Sequence, residues 1–292
     1  MFFRKILALI FCAVLLAVPG NRAQAENDLS GEKLGYILIS SKDMAYVDEM
    51  LRNSIQKLCP GAKETYLECD SPEAKKYIDE LGIKFVPFVI YDKSIVSADN
   101  FFSMVKNNMI EKKKGYYVIP DEQLKMAEVM VLGRQRMPNK LCIYAMSFCP
   151  YAQSAQATLF DVIKKNNLDV KVDIKYIVDY NEFGISSLHG PEEIKEDLRQ
   201  ILINKYYPDR VLDYLMLLPK KGPEGALAEL GLSADEIYKN KEEALAILKE
   251  QSEEIKSLGI SQSPMFLWEN IYLIPNVEIL KRREPFSVAI KE

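Results

Sequence analysis

Apolar and polar positions along the chain change period in an order that occurs twice. Residues 36–39 form a short unbroken apolar run, the pattern of a buried strand, and 44–58 then carries Val47, Leu51, Ile55 and Leu58 at the spacing of one helix face. A second strand is predicted at 64–69. Asp70 or Ser71 then caps a helix with Pro72 in its first turn, where a missing backbone donor costs nothing, and that helix ends near Leu81-Gly82. Residues 83–91 are a third apolar run, interrupted by Pro87, and 94–97 is its predicted hairpin partner.

The same order returns further along. A strand is predicted at 141–145, a helix at 150–166, a strand at 170–178, a strand led by Pro264 at 263–268, and its hairpin partner at 271–274. Between the second and third of these strands the period is helical. Ile194, Leu198, Ile201 and Leu202 form one stripe, and Val211, Leu212, Leu215 and Met216 a second. Ser233-Ala234-Asp235-Glu236 is a capping box predicted to open a third helix carrying Ala244, Leu245, Leu248, Ile255 and Leu258. The helical block is either an insertion into the second α/β unit or a separate small domain.

The first residues belong to neither unit. Arg4 and Lys5 precede the apolar stretch 6–18, which breaks at Pro19-Gly20 before Ala23-Gln24-Ala25. This is the pattern of a secretory leader, 1–25, with an apolar stretch too short to cross a bilayer, and Cys12 would leave with it. The remaining chain is expected at 31–110 for a first domain, 111–139 for a linker, and 140–285 for a second domain with its helical insert at about 181–258. The formal net charge is −4, and loss of Arg4, Lys5 and Arg22 makes the rest more acidic still, which argues against nucleic acid or an anionic membrane as partner. An export signal, with no evident glycosylation sequon, points to the bacterial periplasm as compartment.

Cys59, Cys69, Cys142 and Cys149 remain after such a leader, too few for a disulfide scaffold. Cys142 sits within a predicted strand and reads as a buried, inert thiol. Cys59 and Cys69 would pair only if a stretch that looks extended folded back. Alternatively, Cys69 lies near the turn Ser40-Ser41-Lys42-Asp43. His189, the sole histidine, reads by itself as a loop or capping residue. No metal-ligand spacing, Gly-rich phosphate loop or Gly-x-Ser-x-Gly elbow is present, so neither metal nor cofactor is predicted.

Cys149 is different, because Met146-Ser147-Phe148-Cys149-Pro150-Tyr151-Ala152 follows a strand and opens a helix. A cysteine in a helix's first turn faces unpaired N–H groups and the positive end of the macrodipole, which favour a thiolate. Such a thiolate attacks a disulfide and forms a mixed disulfide. Where a second thiol would complete a Cys-Pro-Tyr-Cys pair, the chain has Ala152, so exchange through Cys149 is monothiol.

On these residues the second domain resembles the DsbA-like and gamma-interferon-inducible lysosomal thiol reductase (GILT) group of thioredoxin-fold proteins. The matching pieces are the Met146-Ser147-x-Cys149-Pro150-Tyr151 turn, Ser187-Leu188-His189-Gly190 and Gly259-Ile260-Ser261-Gln262-Ser263-Pro264, covering roughly 140–275. The first domain resembles the thioredoxin fold alone and has no cysteine at its equivalent turn. The resemblance implies an α/β chain of two tandem thioredoxin-like domains, the second with a helical insertion between its second and third core strands. It also implies a cis bond before Pro264 and before Pro87. Pro264 would lie beside Cys149, and Pro150, Tyr151, Ser263 and Pro264 would contact an extended substrate peptide. The implied partners are extracytoplasmic proteins or peptides and an external thiol reductant. Members of the group carry a second active-site cysteine and cysteines in the insert, which this chain lacks. Cys149 is therefore either a working monothiol or the remnant of one in a binding module.

Overall fold

The computed structural model describes residues 34–289; the leader predicted at 1–25, with Cys12, lies outside the described residues. Two compact units divide the chain, the first ending at Gln123 and the second starting at Leu124.

In the first unit β1 (Gly35–Ser40) runs parallel to β2 (Lys63–Glu68), and α1 (Ala45–Leu58) makes the crossover that parallel neighbours require. The Ser71 hydroxyl accepts the Ala74 amide at 3.2 Å and opens α2 (Pro72–Leu81). Pro87, preceded by a cis peptide bond, splits the third apolar run into β3 (Phe85–Val86) and β4 (Phe88–Tyr91), and β4 pairs antiparallel with β1.

Two expectations are corrected here. Residues predicted as the hairpin partner of β4 form a 3-10 turn, Lys93–Ser97, because the Asp92 carboxylate accepts the Ser94 amide at 2.8 Å and winds the chain locally. After the short helix α3 (Phe101–Lys106), the strand that pairs with β4 is β6 (Tyr116–Val118), itself paired with β5 (Glu111–Lys113), which gives the first sheet the order β2-β1-β4-β6-β5. Consequently the stretch 111–139 is not a plain linker: it begins inside the first sheet and contributes β7 (Val129–Val131) to the second unit.

Within the second unit the strands run β7-β13-β12-β8-β9, where β8 is Lys140–Ala145, β9 Lys171–Tyr176, β12 Met265–Trp268 and β13 Tyr272–Ile274. β8 lies parallel to β9 and antiparallel to β12. Residues 141–145 are buried on both faces, which is why they read as an unbroken apolar run rather than an alternation. The parallel pair is bridged by α4 (Pro150–Lys165), which buries Ala152, Ala155, Gln156, Leu159, Phe160 and Ile163 along one stripe.

The helical block is spliced between β9 and β12. It begins with a small hairpin, β10 (Asp179–Asn181) and β11 (Gly184–Ser186), and continues with α5 (Pro191–Tyr206), α6 (Pro208–Leu230), α7 (Ala234–Tyr238) and α8 (Lys241–Leu258). α6 is interrupted at Gly222, whose φ of 68° is open to glycine. Ser233 does cap the Glu236 amide at 3.5 Å, yet the helix it opens ends at Tyr238, and the long helix starts afresh at Lys241 after Asn240 leaves the helical region. No described helix is long and apolar enough to cross a membrane.

Glu254 of α8 fastens the insert to the sheet. Its carboxylate accepts from Tyr144 Oη at 3.1 Å and Arg134 at 2.9 Å, and it also takes Lys175 Nζ. Burial pushes Glu254 up, but the hydrogen bonds from Lys175 and Arg134 outweigh it and hold the carboxyl below its ordinary range. Glu254→Ala strands two cations and a phenol that are each partly or wholly buried. It should lower the unfolding free energy in urea by about 2–4 kcal/mol. Because the folded pKa is depressed, this stabilisation is present above the unfolded pKa and lost as pH falls, so the gap between wild type and variant closes below about pH 4.

Candidate functional site

β8 ends at Ala145, and the chain turns through Met146, Ser147 and Phe148 so that Cys149 becomes the N-cap of α4. The Cys149 amide donates to the Met146 carbonyl at 3.0 Å, and Cys149 itself has φ −70° and ψ 117°, extended rather than helical. Pro150 takes the first helical position, where its fixed φ suits the turn. No side chain caps the first amides of α4.

From the other side comes the loop leading into β12. Ser263 is joined to Pro264 by a cis bond, and the Ser263 hydroxyl accepts the Met146 amide at 2.9 Å. Cys149 Sγ stands 3.5 Å from the Ser263 carbonyl oxygen, to which the thiol donates. Thus Cys149, Pro150, Ser263 and Pro264 converge on one place, and Tyr151 projects from it, 78% exposed. Cys149 is only 7% exposed, and Ala152, one helical turn along, is fully buried.

The remaining thiols sit elsewhere, and all four described cysteines are unpaired with one another. Cys142 is buried in β8, and burial foremost pushes its thiol up to about 12. Burial also raises Cys59, and Cys69 is raised by burial with Asp70 and Glu68 adding. The Cys69 amide donates to the Ser40 carbonyl at 2.7 Å, beside the turn of the first unit that lacks a cysteine.

Glu193 and Asp197 of α5, which the sequence pattern did not single out, complete the site, and His189 and Gly190 lead into that helix. Gly190, at φ 87° and ψ −172°, occupies a region essentially restricted to glycine and brings His189 back over the helix start. Glu193, with no solvent exposure, accepts the Phe148 amide at 2.9 Å on Oε1, which also lies 2.8 Å from His189 Nδ1; its Oε2 accepts the His189 amide at 3.2 Å. Ser147 donates its hydroxyl to the Glu193 carbonyl at 3.4 Å. One helical turn on, Asp197 is equally buried, and neither carboxylate oxygen has a hydrogen-bond partner. Charged residues on a helix read as its solvated face. The available signal was spacing, since Glu193 and Asp197 flank Ile194 and Leu198 of the apolar stripe at an interval of four.

Burial foremost pushes Asp197 well above the ordinary carboxylate range, with Glu193 and Glu196 adding and Ser147, which faces it, opposing. The raised folded pKa means that stability falls as pH rises past the unfolded carboxylate pKa of about 4, since the folded state retains a proton the unfolded chain has released. Asp197→Asn removes that retained proton. Its urea unfolding free energy should gain about 1–3 kcal/mol at pH 7 relative to wild type, with a smaller gain at pH 5. An equal gain at both pH values would show that Asp197 does not titrate this way.

No metal-binding cluster of His, Cys, Asp and Glu occurs among the described residues. No family model matches the chain, and no curated protein matches it. Solved structures do. The catalytic domain of Proteus mirabilis ScsC matches at 18% identity over 57% of this chain and 89% of its own, with a TM-score of 0.38. The thiol-disulfide exchange protein alpha-DsbA2 from Wolbachia pipientis matches at 12% over 51% and 82%, TM-score 0.38. Oxidised BdbD from Bacillus subtilis matches at 16% over 55% and 92%, TM-score 0.37. The chain is thus distantly similar in structure to DsbA and ScsC thioredoxin-fold proteins, without a Cys-x-x-Cys pair of its own.

Proposed function

We propose that this is an exported protein of two tandem thioredoxin-like units in which Cys149 performs monothiol disulfide exchange, isomerase- or reductase-like, on extracytoplasmic proteins, in the manner of the DsbA-like and GILT group. The observation that carries the proposal is the thiol at the N-cap of α4, 3.5 Å from the carbonyl that precedes cis Pro264. A substrate strand laid along Ser263 would present its disulfide to that sulfur. The Cys149 thiolate then attacks one substrate sulfur and expels the other as a thiolate, leaving a mixed disulfide. A second substrate thiol resolves it by isomerisation, or an external thiol resolves it by reduction. Tandem organisation is supported by the first unit's βαβ start and its antiparallel third element. The residues 1–25 support the periplasm as compartment.

A second reading, peptide holding without exchange, is favoured by the 7% exposure of Cys149 next to exposed Tyr151. The two separate on trapping. Incubation with a peptide disulfide, an acid quench and peptide mass mapping should yield a one-to-one adduct on Cys149. Binding of the peptide with no adduct would establish the holding role instead.

A further inference from the structure

The helical insert reaches the turn that bears the thiol through Glu193. Glu193 lies at the third position of α5, where a carboxylate is favoured by the helix N-terminus, and its oxygens accept the Phe148 and His189 amides and face the His189 ring. The Phe148 amide, the His189 amide and His189 Nδ1 thus converge on this one carboxyl, with Nδ1 2.8 Å from Oε1. Its acidic neighbours are Asp197, which Ser147 faces, and Glu196, which is occupied by Arg199 at 3.0 Å, Gln200 and Tyr214. Of the two fully buried carboxyls a helical turn apart, burial pushes Asp197 up, and the hydrogen bonds to the Cys149 turn gather on Glu193.

We propose that Glu193 is a positioning residue for Cys149: it fixes the Ser147–Phe148 turn through the Phe148 amide and places the charge of the acidic pair against that turn. The inference rests on the exchange reading of Cys149 for its biological meaning. Its consequence is that the insert is part of the thiol's machinery as well as a cover, because the charge nearest the turn comes from α5 and not from the strand or helix that bear the cysteine. His189, at the surface end of the same contact, is explained by this arrangement as the residue that keeps the Glu193 carboxyl oriented.

The test is iodoacetamide labelling of Cys149, read by peptide mass mapping at pH 6 and pH 9. Labelling needs no disulfide substrate, so it reports on Glu193 even in a protein that forms no mixed disulfide, and failure here is distinguishable from failure of the exchange reading. Glu193→Gln keeps the shape and an acceptor for Phe148 but removes the charge. At pH 6 labelling should rise about threefold to tenfold, the effect of deleting one unit charge in a partly screened site, while the pH 9 rate stays within about twofold. A purely structural role moves both rates alike. The Glu193→Ala variant, which also frees the Phe148 amide, should change the pH 9 rate by more than about threefold, and Glu193→Gln alone decides the matter where the alanine variant does not fold. An unchanged ratio of the two rates in Glu193→Gln would overturn the proposal.

Discussion

Cys149→Ser is expected to abolish the adduct with a peptide disulfide and to lower the proposed exchange at least about a thousandfold, while the fold persists. The thiolate is the nucleophile in exchange, and a serine hydroxyl at neutral pH offers neither the charge nor the soft sulfur that the substrate disulfide requires. Compensation by another thiol is blocked by placement: Cys142 is buried in β8 and raised to about 12, and burial raises Cys59 and Cys69 as well. None of these stands at a helix start beside a cis proline. The hydroxyl of the variant keeps a donor for the Ser263 carbonyl, so the turn retains its contact and the midpoint of thermal unfolding should shift by no more than a few degrees. Stopped-flow exchange with a chromophoric disulfide and a parallel melting curve measure both. A variant retaining more than a tenth of the wild-type rate would move the chemistry away from Cys149.

How far the site could be read from the sequence depends on how local its determinants are. The Cys149 turn was legible because strand end, thiol, proline and helix start are consecutive residues. Pro264 was legible because its pattern repeats at Pro87, and both bonds are cis. The partner of β4 was not. Residues 94–97 follow directly and look suitable, but Asp92 captures them into a turn, and the pairing falls to 116–118, whose short Tyr-Tyr-Val run carries little signal of its own. Ser233 was read correctly as a cap and wrongly as the start of the long helix, since a cap states where a helix begins and nothing about where it ends. Glu193 and Asp197 were missed for a different reason. A buried acid has the same letter as a solvated one, and what distinguishes them is the Phe148 amide, brought from 45 positions away in the chain by the packing of α5.

Ala152→Cys is expected to convert the site from a monothiol to a dithiol. Ala152 is fully buried in the first turn of α4, three residues after the N-cap, and side chains at that spacing on a helix lie about 5–6 Å apart at Cβ, close enough for a disulfide after small adjustment. In the proposed exchange the wild-type mixed disulfide persists until a thiol arrives from outside, because Cys142, the nearest cysteine in sequence, is buried within the strand. A thiol at position 152 attacks the Cys149 sulfur of the adduct intramolecularly. The substrate sulfur leaves as a thiolate, and the two protein sulfurs end as a disulfide, so the substrate disulfide is reduced as the protein dithiol is oxidised. Intramolecular attack by an oriented group carries effective molarities that free thiols cannot match, so the adduct's lifetime in the absence of added reductant should fall at least about a hundredfold. Mass mapping of the quenched reaction should show the adduct replaced by an internal crosslink between positions 149 and 152. A long-lived adduct in this variant would mean that the turn holds the Cys149 sulfur pointed away from α4, and that Ala152 is retained for packing and not as the vacancy that makes the site monothiol.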